Sequence, residues 1–240
     1  MLYKEQSYNP INQLHLQNDK KLDNPVWHSL NEVHKKYSLT FNNMKCYQVD
    51  YCPFGGYENN NLVSKYIDEY ANLIDNFFIV GEKPGYSQSL SLKKELVCLQ
   101  MVLDHKIDIE IQEEIVHLND AYDKELSDLV NLVQPGYFKS KTILLGDYYG
   151  IFKNGLLVSV TGERMKMNDF SEVSAVVTHP GHIGKGYARQ LIAHTINKIS
   201  DENKVPYLHV AETNTGAIKL YDKLGFITRR KISFWNFQKK

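Results

Sequence analysis

A glycine-rich run at residues 179–188, His-Pro-Gly-His-Ile-Gly-Lys-Gly-Tyr-Ala, lies between an apolar strand and an amphipathic helix. Apolar residues dominate Val173–Val177 before the run, and they recur at helical spacing from Ala188 to Ile199 after it. Glycines at such a junction let backbone N–H groups approach a ligand closely, and the start of a helix carries a partial positive charge. The run therefore predicts a phosphate-binding turn at the start of a helix.

Two familiar phosphate-binding motifs do not fit this run. A Walker loop requires Ser or Thr after Gly-Lys to hold magnesium, and here Gly186 follows Lys185. A dinucleotide-binding fingerprint requires a third glycine near Arg189, and that glycine is missing. Both interpretations are excluded.

A second block lies at residues 214–226, where the spacing is Asn-x-x-Ala-x-x-Leu-Tyr-x-x-x-Gly-Phe. Together with the run, this block resembles the two cofactor motifs of the GNAT superfamily of N-acetyltransferases, and within it the glycine-N-acyltransferase-like branch. The second motif matches throughout, whereas Ile183 stands where the family's turn begins with a polar residue. A side-chain contact to phosphate at that position is therefore lost, and the backbone contacts of the turn remain.

The resemblance implies both a fold and a reaction. The implied fold class is α/β (α+β), with a mixed, twisted central sheet flanked by helices. The implied reaction is transfer of an acetyl group from acetyl-CoA, bound as a co-substrate without a metal, directly to a primary amine with no acyl-enzyme. Two alternatives stay open: a non-catalytic acetyl-CoA-binding regulatory or interaction module, and an N-acyltransferase that uses a longer acyl-CoA.

The order of the predicted elements divides the chain into two α/β halves. Residues 113–240 have the strand and helix order of the resembled family, and they are the expected acetyl-CoA-binding N-acetyltransferase domain. Residues 1–112 repeat that rhythm without either motif. We interpret them as a degenerate, acetyltransferase-like half that shapes the acceptor pocket or packs as a partner domain.

Local patterns predict individual elements of both halves. In the first half a strand is expected at Lys45–Tyr51, ended by a turn at Pro53–Gly56, and a nearly continuous apolar strand at Glu95–Leu103. In the second half Asn154-Gly155 predicts a tight hairpin. Tyr207–Val210 is expected to pair in parallel with the strand before the glycine-rich run, through a right-handed crossover.

Coenzyme A has two parts that the backbone of this chain can bind. The pyrophosphate needs several backbone donors at a helix start. The pantetheine arm is an extended amide chain that can lie beside a strand, provided that the strands around Val177 and Val210 part. An unpaired N–H group near Val176 or Val177 could then polarise the thioester carbonyl. The expected cofactor-binding residues are Ala175, Val176, Val177, Ile183, Gly184, Lys185, Gly186, Tyr187, Ala188 and Asn214.

Two side chains are catalytic candidates because they could move protons. Tyr221 lies on the helix face toward the cofactor crevice, and the resemblance implies that it donates a proton to the leaving sulfur. Its alternative role is that of a tyrosine packed in the core. His209 stands where several members of the family have a glutamate that activates the amine, and an imidazole can accept a proton near neutral pH. The alternatives are a buried, structural His209, with Glu163 or Glu172 as the base.

Composition limits the classes of partner. The 28 basic and 28 acidic residues cancel, so no net field attracts nucleic acid or an anionic membrane, and neither is an expected partner. The sequence has no membrane-span or signal-peptide pattern and only three scattered cysteines, so we expect a cytoplasmic protein. His179 and His182 have no further ligand nearby, so no metal is expected. The expected partner is an amine-bearing small molecule or protein, and a homodimer is left open.

Overall fold

One mixed sheet runs through the computed structural model, which describes residues 19–59 and 62–240. Helices flank the sheet, so the predicted fold class, a mixed, twisted sheet flanked by helices, is confirmed. The strands are β1 Ser38–Phe41, β2 Met44–Tyr47, β3 Phe54–Tyr57, β4 Asn76–Val80, β5 Leu90–Val102, β6 Val116–Leu118, β7 Tyr148–Lys153, β8 Leu156–Lys166, β9 Phe170–Thr178, β10 Val205–Ala211 and β11 Ile227–Lys239. The α-helices are α1 Pro25–Asn31, α2 Val63–Ala71, α3 Asp123–Val133, α4 Tyr187–Asp201 and α5 Thr215–Lys223.

The two halves of the chain exchange strands within this sheet. The strands follow the order β1-β2-β3-β4-β11-β5-β10-β9-β8-β7-β6. β5, from the first half, lies between β10 and β11, and β11 in turn lies between β4 and β5. On each side of the central β11–β5 pair the next strand is antiparallel and the one after it is parallel. The arrangement is therefore alike on both sides, while the two domain ranges and the degenerate-copy interpretation stay predictions.

A fragment of residues 113–240 is expected not to fold cooperatively by itself. It lacks β5, whose 13 residues lie between β10 and β11, so it would expose two strand edges that the whole chain pairs. Thermal unfolding followed by circular dichroism should show a cooperative transition for the whole chain and none for the fragment. A fragment of residues 86–240 keeps β5 and should recover part of the transition. Unfolding of the shorter fragment at the temperature of the whole chain would contradict this expectation.

The strand-ending turn predicted at Pro53–Gly56 is wrong, because Phe54–Tyr57 forms strand β3. A Cβ on Gly55 would lie 2.6 Å from Sγ of Cys46 on β2, and a Cβ on the next glycine would lie 2.8 Å from a side-chain oxygen of the residue before α1. Gly55 therefore allows close packing between neighbouring strands, Gly56 lets α1 approach the sheet, and neither makes a turn.

Two local predictions about the second half are confirmed. Asn154 and Gly155 have positive φ angles of 53° and 78°, and they join β7 to β8 in a tight hairpin. β10 pairs with β9 in parallel, and α4 lies between them along the chain. Within residues 19–59 and 62–240 no helix is both long and apolar enough to cross a membrane.

Candidate functional site

A crevice opens where β9 and β10 part. Their parallel pairing covers three positions and ends at Glu172 and Tyr207, although β9 continues to Thr178 and β10 to Ala211. Ala175 has a φ of 50° and lies in a bulge of β9, where the register against β8 shifts. The parting and the bulge border a cavity of about 410 Å³. The parting of these strands is the one that the sequence predicts.

The β9 residues predicted to bind the cofactor have different positions relative to this cavity. Ala175 and Val176 lie in its wall, and neither has a register partner on β8 or β10. Val177 instead pairs with Val160, and its side chain is buried among residues of α3, β7 and β8. The backbone that an extended ligand can reach is therefore centred on residues 175–176.

The glycine-rich run forms a turn whose backbone donors are unused. Gly184 and Gly186 have positive φ angles of 82° and 78°, and α4 begins directly after them with no side-chain cap. In the described residues, the backbone N–H groups from Ile183 through Arg189 donate no hydrogen bond. This row includes Lys185 and Tyr187, and its member Ala188 also lines the cavity. A row of free donors at a helix start is the arrangement that binds phosphate.

Tyr221 and Asn214 reach the same cavity from α5. Asn214 is the N-cap of that helix, and its side chain accepts a hydrogen bond from the backbone of Ala217 at 3.2 Å. Tyr221 is 6% exposed, and in the described part of the chain its hydroxyl has no hydrogen-bond partner. Burial raises the pKa of Tyr221 to about 12, so the hydroxyl keeps its proton at neutral pH and can donate it.

Comparison with known proteins identifies this arrangement of strands, turn and cavity. Residues 148–235 match the family model described as FR47-like protein. A solved structure described as a GNAT-family acetyltransferase, from Novosphingobium aromaticivorans, is 29% identical with a TM-score of 0.83, and the match covers 92% of this chain and 100% of that chain. This chain has the GNAT-family N-acetyltransferase fold.

More distant structures share the GNAT fold over most of their length. A GCN5-related N-acetyltransferase-like protein from Streptococcus suis is 15% identical with a TM-score of 0.61, covering 96% of this chain and 98% of that chain. A tandem GNAT protein from the clavulanic acid biosynthesis pathway is 13% identical with a TM-score of 0.53, covering 80% and 77%. No curated protein sequence is significantly similar to the chain. The glycine-N-acyltransferase-like branch stays a prediction.

A network of buried polar side chains forms part of the cavity wall. Arg164 donates from Nε and Nη2 to the Glu172 carboxylate, both at 2.8 Å. Nδ1 of His209 lies 2.8 Å from the same carboxylate, and its Nε2 lies 3.1 Å from the side-chain nitrogen of Gln100. Arg229 donates to the side-chain oxygen of Gln100 at 2.9 Å. Each of the strands β8, β9, β10, β5 and β11 thus gives one member of the network.

The network keeps both Arg164 and Glu172 in their charged forms. Burial by itself would raise the pKa of Glu172, but the Arg164 guanidinium and the hydrogen bonds from Arg164 and His209 lower that pKa to about 2. Burial opposes the charge of Arg164, yet the Glu172 carboxylate raises the pKa of this guanidinium further. Both groups are therefore charged at neutral pH, and a carboxylate held this strongly is a poor proton acceptor.

His209 lines the cavity, but both of its ring nitrogens are engaged. Because Arg229 donates to the oxygen of Gln100, the NH₂ group of Gln100 faces Nε2 of His209. An amide NH₂ can only donate, so Nε2 is the acceptor and Nδ1 carries the proton that is donated to Glu172. Gln100 would have to release Nε2 before His209 could take a proton from an amine. The role of His209 as the base stays a prediction. In this geometry its hydrogen bond holds the Glu172 carboxylate in place.

We expect His209→Gln to lower the rate of acetyl transfer by no more than roughly tenfold, the effect of one lost hydrogen bond to Glu172. The acidic limb of the pH–rate profile should remain, because a histidine that only positions Glu172 transfers no proton. Steady-state rates across pH measure both effects. His117→Gln, at an exposed histidine outside the cavity wall, is the control. Loss of the acidic limb in a His209→Gln protein that still binds CoA would assign the base to His209.

Glu163, the other carboxylate considered as a base, is held outside the cavity wall. Burial raises its pKa, and it accepts a hydrogen bond from Ser171. The Lys166 ammonium lies 3.0 Å from Glu163 and 3.6 Å from Glu202. Together with Asp147 these carboxylates come within 4.8 Å of one another. Lys166 and Lys204, the latter 2.8 Å from Glu202, supply compensating charge.

Three members of the network, Arg164, Gln100 and Arg229, were not among the site residues predicted from the sequence. Arg164 is a charged residue within the buried strand β8, and Gln100 is an amide within the apolar strand β5. A polar side chain inside a buried strand needs a hydrogen-bond partner, so the sequence alone indicates that Arg164 and Gln100 each have one. The sequence could not show that the partner would be Glu172 for one and His209 for the other, because these contacts join distant segments.

Proposed function

We propose that this protein is an N-acetyltransferase that transfers the acetyl group of acetyl-CoA directly to the primary amine of an acceptor. The observation that carries the proposal is the cavity between the parted ends of β9 and β10. It is bordered by residues 175–176, which have no register partner on β8 or β10, and by the free hydroxyl of Tyr221, and α4 begins beside it with unused N–H groups. Each of these features has a use in acyl transfer from a CoA thioester.

The backbone supplies most of the cofactor contacts in this proposal. The N–H groups from Ile183 through Ala188 bind the pyrophosphate, with the positive end of α4 behind them. The exposed backbone of Ala175 and Val176 pairs with the amides of the pantetheine arm. An N–H group of this bulge then stabilises the negative charge that develops on the thioester oxygen.

The side chains move the protons of the reaction. The amine attacks the thioester carbon, so that a C–N bond forms and the C–S bond breaks. Tyr221 donates its proton to the departing sulfur, which is the role that a buried, protonated phenol can fill. The proton lost by the amine passes to water in the cavity, or to His209 once Gln100 releases its Nε2, and water then returns a proton to Tyr221. Acetyl-CoA supplies the activated acetyl group, and no proposed step uses a metal.

Release of free thiol from acetyl-CoA in the presence of a panel of primary amines tests this proposal. Amine-dependent release above the rate without amine supports it. CoA binding by calorimetry, with no release from any amine, would favour a non-catalytic regulatory or interaction module. Release from longer acyl-CoA thioesters alone would favour an N-acyltransferase with a longer donor. The panel should contain amino acids, simple alkylamines, diamines and peptides, because the structural comparisons leave the acceptor unassigned.

A further inference from the structure

The end of the cavity at Arg164 and Phe54, here named the acceptor end, contains one cation with unused donors among its described residues. We propose that the acceptor is an apolar amino acid, whose carboxylate binds Arg164 while its amine is acetylated. This inference rests on the proposed function and adds the class of acceptor to it. It is carried by the position of Arg164, by the rigidity of its surroundings and by the other residues of the wall.

Arg164 has donors left over for a ligand. A guanidinium carries five N–H groups, and Glu172 accepts from two of its nitrogens. Among the described residues no other group accepts a hydrogen bond from Arg164. No nitrogen of Arg164 is both inaccessible to solvent and without a hydrogen-bond partner. The side chain is 14% exposed and lines the cavity. The remaining N–H groups form a planar fork, which matches a carboxylate better than it matches a single carbonyl or hydroxyl oxygen.

The guanidinium is held in one orientation. Glu172, which is 1% exposed, receives its two hydrogen bonds, and the ring of Phe54 lies 4.7 Å from its central carbon. Glu172 is in turn fixed by His209, and His209 by Gln100, whose NH₂ group also donates to the backbone oxygen of Leu22 at 2.7 Å. A fork that is already ordered loses little conformational freedom when a carboxylate binds.

The charges of the wall disfavour an acceptor with a second ammonium group. Among the described residues that line this cavity, Glu172 is the only carboxylate, and it is already hydrogen-bonded to Arg164 and His209. A second ammonium group, as in a diamine, would therefore be buried without a partner, which is costly. An added carboxylate finds free N–H donors instead.

Around Phe54 the acceptor end is mostly apolar, although Gln134 and Ser174 also line the cavity. Phe54 packs against Phe234 with ring centroids 5.4 Å apart and against Tyr137 at 6.4 Å, and all three line the cavity together with Leu96 and Cys98. A side chain that fills this end is apolar or aromatic, because aromatic walls gain most from apolar contact. The cavity of about 410 Å³ must also hold the end of the pantetheine arm, so the acceptor is small.

Matched pairs of amines test the assignment without any variant. Phenylalanine is compared with 2-phenylethylamine, and leucine with 3-methylbutylamine, each at equal concentrations of unprotonated amine. We expect kcat/KM to be at least about 100-fold higher for each amino acid, since a site built around a hydrogen bond rejects the analogue that lacks the group. Equal values within each pair would overturn the inference and leave the proposed acetyltransferase activity standing. No thiol release from any amine would instead overturn the proposed function, and this inference with it.

Variants then assign the preference to Arg164. Arg164→Gln alone leaves Glu172 buried without its partner, so the double variant Arg164→Gln/Glu172→Gln, which removes both charges, is measured beside it. In a folded variant the preference for phenylalanine over 2-phenylethylamine should fall to within about tenfold. Arg230→Gln removes an exposed arginine outside the cavity and should keep the preference. A preference that survives in the folded double variant would overturn the role of Arg164.

Discussion

Gly186→Glu is expected to weaken CoA binding by at least about 100-fold, equivalent to about 2.7 kcal/mol. Position 186 is the N-cap of α4, and it lies among backbone N–H groups that donate to nothing else in the described residues. A glutamate there places a carboxylate where the pyrophosphate binds, so it competes for the same donors and repels the phosphates. Calorimetric titration with CoA measures the loss directly.

The fold itself should tolerate this substitution. A Cβ at position 186 meets no atom within 4 Å, and a negative charge at a helix N-terminus is favourable. The positive φ of 78° costs a non-glycine residue about 1–2 kcal/mol of stability. Gly186→Asn carries a similar backbone penalty without the charge, because asparagine tolerates this conformation, and it should keep most of the CoA affinity. Unchanged affinity in folded Gly186→Glu would place the pyrophosphate elsewhere.

Local features of the site could be predicted because they depend on neighbouring residues. The glycine-rich turn, the Asn214 cap and the Asn154-Gly155 hairpin each depend on a few consecutive positions. Apolar runs and helical spacing likewise predict β5, β10 and α4 to within a few residues of their observed bounds. The same local reasoning misread Gly55, because the sequence does not show which side chain approaches a glycine from another strand.

The strand exchange could not be predicted from local patterns. β5 pairs with β10 and β11, which lie more than a hundred residues away along the chain. The residues around β5 do not indicate which strands it pairs with. This pairing affects the site, because it brings the side chain of Gln100 on β5 into hydrogen-bond contact with His209 on β10. The first half also contributes Phe54 and Cys98 to the cavity wall. That residues 1–112 shape an acceptor pocket stays a prediction.

Tyr221→Phe is expected to lower the rate of acetyl transfer by roughly ten- to a thousandfold while CoA affinity is unchanged. The substitution removes only the hydroxyl. Burial keeps that hydroxyl protonated, with a pKa of about 12, so it is a donor and not a base at neutral pH. Because it has no hydrogen-bond partner in the described residues, its loss leaves no group unpaired and should not destabilise the fold.

The measurement that isolates this role combines steady-state rates with calorimetric CoA binding and a thermal melt. If Tyr221 only packs in the core, phenylalanine replaces it almost perfectly, since the ring contact with Phe226 at 5.7 Å needs no hydroxyl. Tyr86→Phe, at a tyrosine that is 40% exposed and lies outside the cavity wall, should keep the full rate. A better leaving group needs less help from an acid, so thioesters of more acidic thiols should narrow the gap between wild type and Tyr221→Phe. Full activity of Tyr221→Phe with acetyl-CoA would show that the sulfur takes its proton from water.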